Sequence, residues 1–252
     1  MKKNKSRFWQ IRAAANEPSV GELLLYGDIS SSSWWGDEVT PKQFKGDLDA
    51  LGDISELRVY INSDGGDVFA GHAIHSMLKR HKAHVTVYVD GLAASVASVI
   101  AMAGDEVIMP ANAMMMIHDP WTWGAGNAKQ FRKLADDLDK IGESIVAAYE
   151  GKTGLSSEEI TSIMDAETWL TASEAVEMGF ADTIEESKHI AASLRNGALV
   201  VQGQTFDLSR YRNPPKLMVV EPEKEPEPEP KPDDGLDLER EREALALMLE
   251  LL

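Results

Sequence analysis

Apolar and polar positions repeat a single course through the middle of the chain. Leu57 to Ile61 (Leu-Arg-Val-Tyr-Ile) alternates as a strand and breaks at Asn62-Ser63-Asp64-Gly65-Gly66-Asp67. A helix is then expected, with Val68, Ala73, Ile74, Met77 and Leu78 on one face. Val85 to Val89 is a second β-branched strand, expected to stop at Asp90-Gly91, and the small residues from Ala93 to Ala103 read as a tightly packed helix. Leu23 to Ile29 supplies a further strand, and Thr40 to Leu51 an amphipathic helix opened by Thr40-Pro41. Strand-turn-helix units in series imply parallel pairing through right-handed crossovers.

The flanks carry other patterns. Residues 1–20 read as a loosely held arm, with a short strand available at Phe8-Trp9-Gln10-Ile11. Ser30 to Gly36 is a polar loop with two tryptophans, and Trp121 to Gly126 a loop or short strand. Phe131, Leu134, Leu138, Ile141, Ile145 and Ala148 fall at helical spacing, predicting a long helix from about Asn127 to Tyr149. Ser156-Ser157-Glu158-Glu159 has the cap and acidic first turn of another helix, and Thr171 to Met178 is the next. Ala198 to Leu208 alternates like a hairpin around Gly203. The division expected is an arm (1–20), a main domain (21–212), a Pro/Glu-rich linker (213–235) and a short amphipathic helix (236–252).

Charge narrows the partners. The chain has 252 residues and a formal charge of −17, from 42 acids and 25 bases, which disfavours nucleic acid or an anionic membrane. Residues 221–252 concentrate part of this, with 12 acids against 4 bases. Within them Glu221 to Asp234 has seven acids, two lysines and five prolines, the composition of an extended spacer. Cysteine is absent, which excludes disulfides and thiolate metal sites. The basic start Met-Lys-Lys-Asn-Lys is followed by no apolar stretch, so a soluble, cytoplasmic protein is expected.

Two residues stand out chemically. Ser95 falls between strand and helix, where a hydroxyl is lifted from the core beside the positive end of a helix and backbone N–H groups can meet an oxyanion. His118 ends the apolar run Met116-Ile117 and is followed by the strand-breaking Asp119-Pro120. A serine there is a nucleophile only if a histidine can reach it. Other motifs read more plainly. His72, His75, His81 and His84 lack a recognised metal pattern and fit a solvated helix face. Gly65-Gly66 lacks the Gly-Lys-Ser/Thr of a phosphate loop. Trp121 and Trp123 suit either a peptide groove or packing under the long helix.

Four stretches, in order and at matching intervals, carry a family resemblance: Ile61-Asn62-Ser63-Asp64-Gly65-Gly66, Gly91-Leu92-Ala93-Ala94-Ser95, Met116-Ile117-His118-Asp119-Pro120, and Leu170-Thr171-Ala172-Ser173-Glu174-Ala175 leading to Gly179-Phe180-Ala181-Asp182. From about Gly21 to Ile184 the chain resembles the ClpP-like serine proteases, most of all the phage and prophage head maturation (prohead) branch. The resemblance implies an α/β fold, the ClpP/crotonase-type spiral of repeated ββα units with a long handle helix, followed here by the Pro/Glu-rich C-terminal tail.

It implies a serine endopeptidase with Ser95 as nucleophile, His118 as general base, and Gly66 and Val96 as oxyanion-hole donors, with no metal or cofactor. The family's usual aspartate is replaced: an ungapped match puts Glu167 there, with Asp165 two residues earlier as the alternative. The partners implied are scaffold or capsid precursors within assembling proheads, other subunits of a homo-oligomeric ring, and scaffold or portal contacts through the tail. Rival readings are a housekeeping ClpP working with an ATPase unfoldase, an acyl-CoA enzyme of the crotonase group, and a non-enzymatic head assembly protein.

Overall fold

The computed structural model describes residues 8–30, 41–185, 192–195, 198–201, 204–214 and 243. Beyond Pro214 only Glu243 is described, so the tail, the linker after its first two residues and the loop Ser31 to Gly36 fall outside them. Among the described residues eight strands form one sheet around which the helices pack. The first two are β1 (Trp9–Ala14) and β2 (Glu17–Tyr26), an antiparallel hairpin at the sheet edge. This corrects the expectation of a loose arm: Phe8 and Trp9 are buried, Trp9 against the Phe44 ring, and the boundary placed at residue 21 falls inside β2. Paired with a partner strand, these few apolar residues have a core to enter.

Helix α1 (Pro41–Asp49) buries Phe44 and Leu48, and β3 (Glu56–Ser63) then pairs parallel with β2. Helix α2 (Val68–Lys79) is capped by Asp67, whose side chain accepts from Ala70 N. Strand β4 (His84–Ala94) does not stop at Asp90-Gly91 but runs on four residues, so the helix expected from Ala93 is only α3 (Val96–Ala101). The apolar run Gly91 to Ala94 is a fully buried strand, which composition alone does not distinguish from a buried helix.

That extension organises the site. The first part of β4, Thr86 to Tyr88, pairs with β5 (Glu106–Pro110), whereas Leu92 to Ala94 pairs with β6 (Met114–Ile117). One strand thus feeds two directions of the sheet, as the expected spiral requires. Helix α4 (Ala128–Thr153) follows, then α5 (Ser157–Asp165), β7 (Thr168–Thr171), α6 (Ala172–Glu177) and β8 (Thr183–Glu185). Helix α4 buries Ile145, Val146 and Tyr149 in its second half, while Phe131 in its first half remains 47% exposed. A separate three-stranded sheet of β9 (Ala192–Arg195), β10 (Ala198–Val201) and β11 (Gln204–Asp207) contains the expected hairpin and ends in a 3-10 turn, Leu208–Arg210. Leu199, Phe206, Leu208 and Tyr211 pack there with Leu92, Ala94 and Met116.

Candidate active site

Ser95 sits between β4 and α3 with φ 56° and ψ −132°, outside the regions open to ordinary L-residues. Neighbouring bonds impose this backbone. Ser95 N donates to Met116 O at 2.9 Å, tying the turn to β6. Ser98, one turn into α3, donates its hydroxyl to Ser95 O at 2.6 Å and is 2.8 Å from the hydroxyl of Tyr149. Tyr149 is fully buried, and burial pushes its phenol upward from the ordinary value, so it stays neutral and can donate. Sequence reasoning missed Ser98 and Tyr149. Ser98 was visible as a polar residue inside an apolar helix, but its partner lies 51 positions away.

His118 follows the last residue of β6, and its Nε2 is 2.8 Å from Ser95 Oγ. The β4–β6 pairing causes the approach, since it lays the ends of the two strands side by side. The serine and histidine expected from sequence therefore meet within hydrogen-bond distance.

The Gly65-Gly66 loop lines the same cleft as Ser95 and His118. Gly66 has φ 145°, and a Cβ there would lie 2.0 Å from Ile29 O; the bridge between Ile29 and Gly66 needs glycine. Asp67 N donates to Ile29 O, while among the described residues no acceptor takes the Gly66 N–H. Val96 begins α3, where an N–H has no acceptor within its helix. Gly71 of α2 meets Val96 directly: a Cβ at Gly71 would lie 2.1 Å from Val96 Cγ2, so a small residue is needed for α2 to approach α3. Gly66, Ser95 and His118 together line a cleft of about 320 Å³, with Ile29, Val68, Pro120, Trp121 and Tyr211 among its walls. Of the two tryptophans left open, Trp121 is on this cleft and half exposed, and Trp123 is 88% exposed beside it in edge-to-face contact.

The two candidate acids part company. Strands β6 and β7 are antiparallel with Ile117 opposite Thr168, so the next pair in that register is His118 and Glu167. Glu167 is buried at 6% exposure and holds φ 51° just past the end of α5, where the chain reverses into β7. Its Oε1 accepts from Asn213 N at 2.6 Å. Asp165 instead meets Asp119; burial first, then the Asp165 carboxylate, pushes Asp119 above the ordinary carboxylate range.

The histidines of α2 differ from the solvated face expected. His72 and His75 are half-buried, and burial, then the charges of His72 and Lys79, lowers His75 to about 4. Among the described residues no group of three or more His, Cys, Asp or Glu is placed to hold a metal ion. No helix among them is long and apolar enough to cross a membrane.

A serine hydroxyl on a strained strand-to-helix turn, a histidine in contact with it and backbone donors alongside define a serine-type peptidase on an α/β spiral. The chain belongs to the Clp protease family, whose characteristic pattern it matches over residues 45–188. It is 31% identical over 140 residues to the ATP-dependent Clp protease proteolytic subunit of Deinococcus radiodurans, covering 54% of this chain and 68% of that one. The protein of the same description from Bacteroides fragilis is 30% identical over 139 residues, covering 54% and 67%.

Proposed function

We propose that the chain hydrolyses peptide bonds through Ser95, His118 and Glu167. The Ser95–His118 contact of 2.8 Å carries this reading. Ser95 Oγ attacks the scissile carbonyl as His118 takes its proton; the imidazolium then protonates the leaving amine, and water reverses the sequence to free the acyl group. Gly66 and Val96 N–H groups stabilise the tetrahedral oxyanion, each good donor contributing about 3–4 kcal/mol. Glu167 orients the imidazole. It is favoured over Asp165 by its place across from His118 and by the engagement of Asp165 with Asp119. A fluorophosphonate should label Ser95, with labelling abolished in Ser95→Ala and slowed strongly in His118→Ala; undiminished labelling of the alanine variant would refute the assignment.

The substrates in this reading are scaffold or capsid precursors cleaved during phage head assembly, and the enzyme works as a homo-oligomeric ring. Support comes from the stretch Glu167-Thr168-Trp169, similar to the head maturation branch, and from the acidic, proline-spaced tail. The half-exposed Phe131, in the first half of α4 where no residue is fully buried, suits burial against another subunit. A second reading, a housekeeping subunit served by an ATPase unfoldase, is favoured by the descriptions of its relatives as ATP-dependent. Cleavage of an unfolded head precursor without ATP or unfoldase supports the first; degradation only with both supports the second.

A further inference from the structure

Three consecutive residues lying beyond the family-matched stretch contact His118, Glu167 and the start of the glycine loop. The Tyr211 ring is edge-on to His118, centroids 6.0 Å apart, and to Trp169 of β7 at 5.2 Å. Its hydroxyl donates to Asp64 O at 3.0 Å, immediately before Gly65-Gly66. Arg212 donates through Nη2 to Asp165 O at 2.9 Å. Asn213 donates its backbone N–H to Glu167 Oε1 and its side-chain amide to Ala166 O at 2.9 Å. The segment is anchored: the Asp207 side chain accepts from Ser209 N, Tyr211 N donates to Leu208 O, and Tyr211 is only 8% exposed.

We propose that Tyr211-Arg212-Asn213 is a positioning strap that holds His118, Glu167 and the Gly65-Gly66 loop in register with Ser95. The strap lies outside the matched region, which ends at residue 188. The proposal rests on the triad reading above. A histidine at a strand end has several side-chain rotamers open to it, and a ring packed against it reduces their number. A glutamate has three rotatable bonds, and the 2.6 Å bond from Asn213 N fixes where its Oε1 lies. Misplacement by about 1 Å at such a site can cost about 100-fold in rate. The strap residues act through His118 and Glu167 and need not touch the reacting atoms.

The test uses full-length protein and a fluorogenic peptide, with kcat, KM and melting temperature measured for each variant. Tyr211→Ala should lower kcat about 10- to 100-fold with KM changed less than about threefold, as expected when reacting groups lose their alignment. Tyr211→Phe keeps both ring contacts and should recover most of that kcat. Asn213→Pro, which lacks the N–H, should lose more kcat than Asn213→Ala, which keeps it; this pair decides the matter if Tyr211→Ala fails to fold. Ser95→Ala runs alongside. If it is inactive while Tyr211→Ala and Asn213→Pro keep wild-type kcat, the strap is refuted and the triad stands. A kcat loss that follows the melting temperature and is not recovered by Tyr211→Phe also overturns it. An active Ser95→Ala removes the triad reading and the strap's role with it.

Discussion

Replacing Ser95 by glycine and by alanine separates the chemistry of this position from the strain of its backbone. Both changes remove the hydroxyl that meets His118, so both should abolish peptide hydrolysis. They differ in Cβ. At φ 56° and ψ −132° a residue with a Cβ carries about 1–3 kcal/mol of conformational strain, which glycine relieves. Against this stand about 0.4–1 kcal/mol of extra entropy in the unfolded chain and at most about 0.8 kcal/mol for burial of one carbon. The central values leave Ser95→Gly more stable than Ser95→Ala by about 1 kcal/mol, or about 2–4 °C in melting temperature for a domain of this size. At an unstrained position the same substitution would instead cost about 1 kcal/mol. Paired thermal and urea unfolding of the two variants measures the difference. A glycine variant less stable than the alanine variant by about 1 kcal/mol or more would show that the turn is not strained, and hydrolysis by either would remove Ser95 as nucleophile.

Glu167→Gln should lower kcat much more than it changes KM, whereas Asp165→Asn should be mild; steady-state peptide kinetics that rank them the other way transfer the orienting role to Asp165. Asp119 keeps its proton to higher pH in the folded protein than in the unfolded chain, because of burial, then the Asp165 carboxylate, with Asp139 adding to the effect and Arg212 opposing it. Its stabilising contribution is therefore present in acid and lost as pH rises above the ordinary carboxylate range. Asp119→Asn should melt higher than wild type at pH 8, with the gap shrinking toward pH 4, and a constant gap would contradict this. Truncation after Val220 should leave peptide turnover near wild type while impairing cleavage of a head precursor; peptide activity lost together with melting temperature would make the tail part of the folded enzyme.

Ser95 and His118 were legible because both lie at the ends of strongly patterned strands, and because the motifs around them occur in order. The α4 helix and the β10–β11 hairpin were legible for the same reason, since their periodicity reports burial on one face. Local sequence was less informative where the same residues suit two structures. Gly91 to Ala94 is apolar and small enough for either strand or helix, and only pairing with Met114 to Met116 makes it strand. Phe8 and Trp9 look like a stray pair until β2 and Phe44 surround them.

The candidate acid and the proposed strap depend on tertiary structure. Nothing local to Glu167 requires φ 51°, a conformation more often given to glycine; the reversal from α5 into β7 imposes it, and the β6–β7 register brings His118 alongside. Tyr211 is 147 positions from the Asp64 carbonyl it binds, and Asn213 is 46 from Glu167. Periodicity and turn chemistry act over a few residues, so they determined which strands, helices and reactive groups this chain contains. Which groups face one another was decided by strand register and packing, because those bring together residues that sequence order keeps far apart.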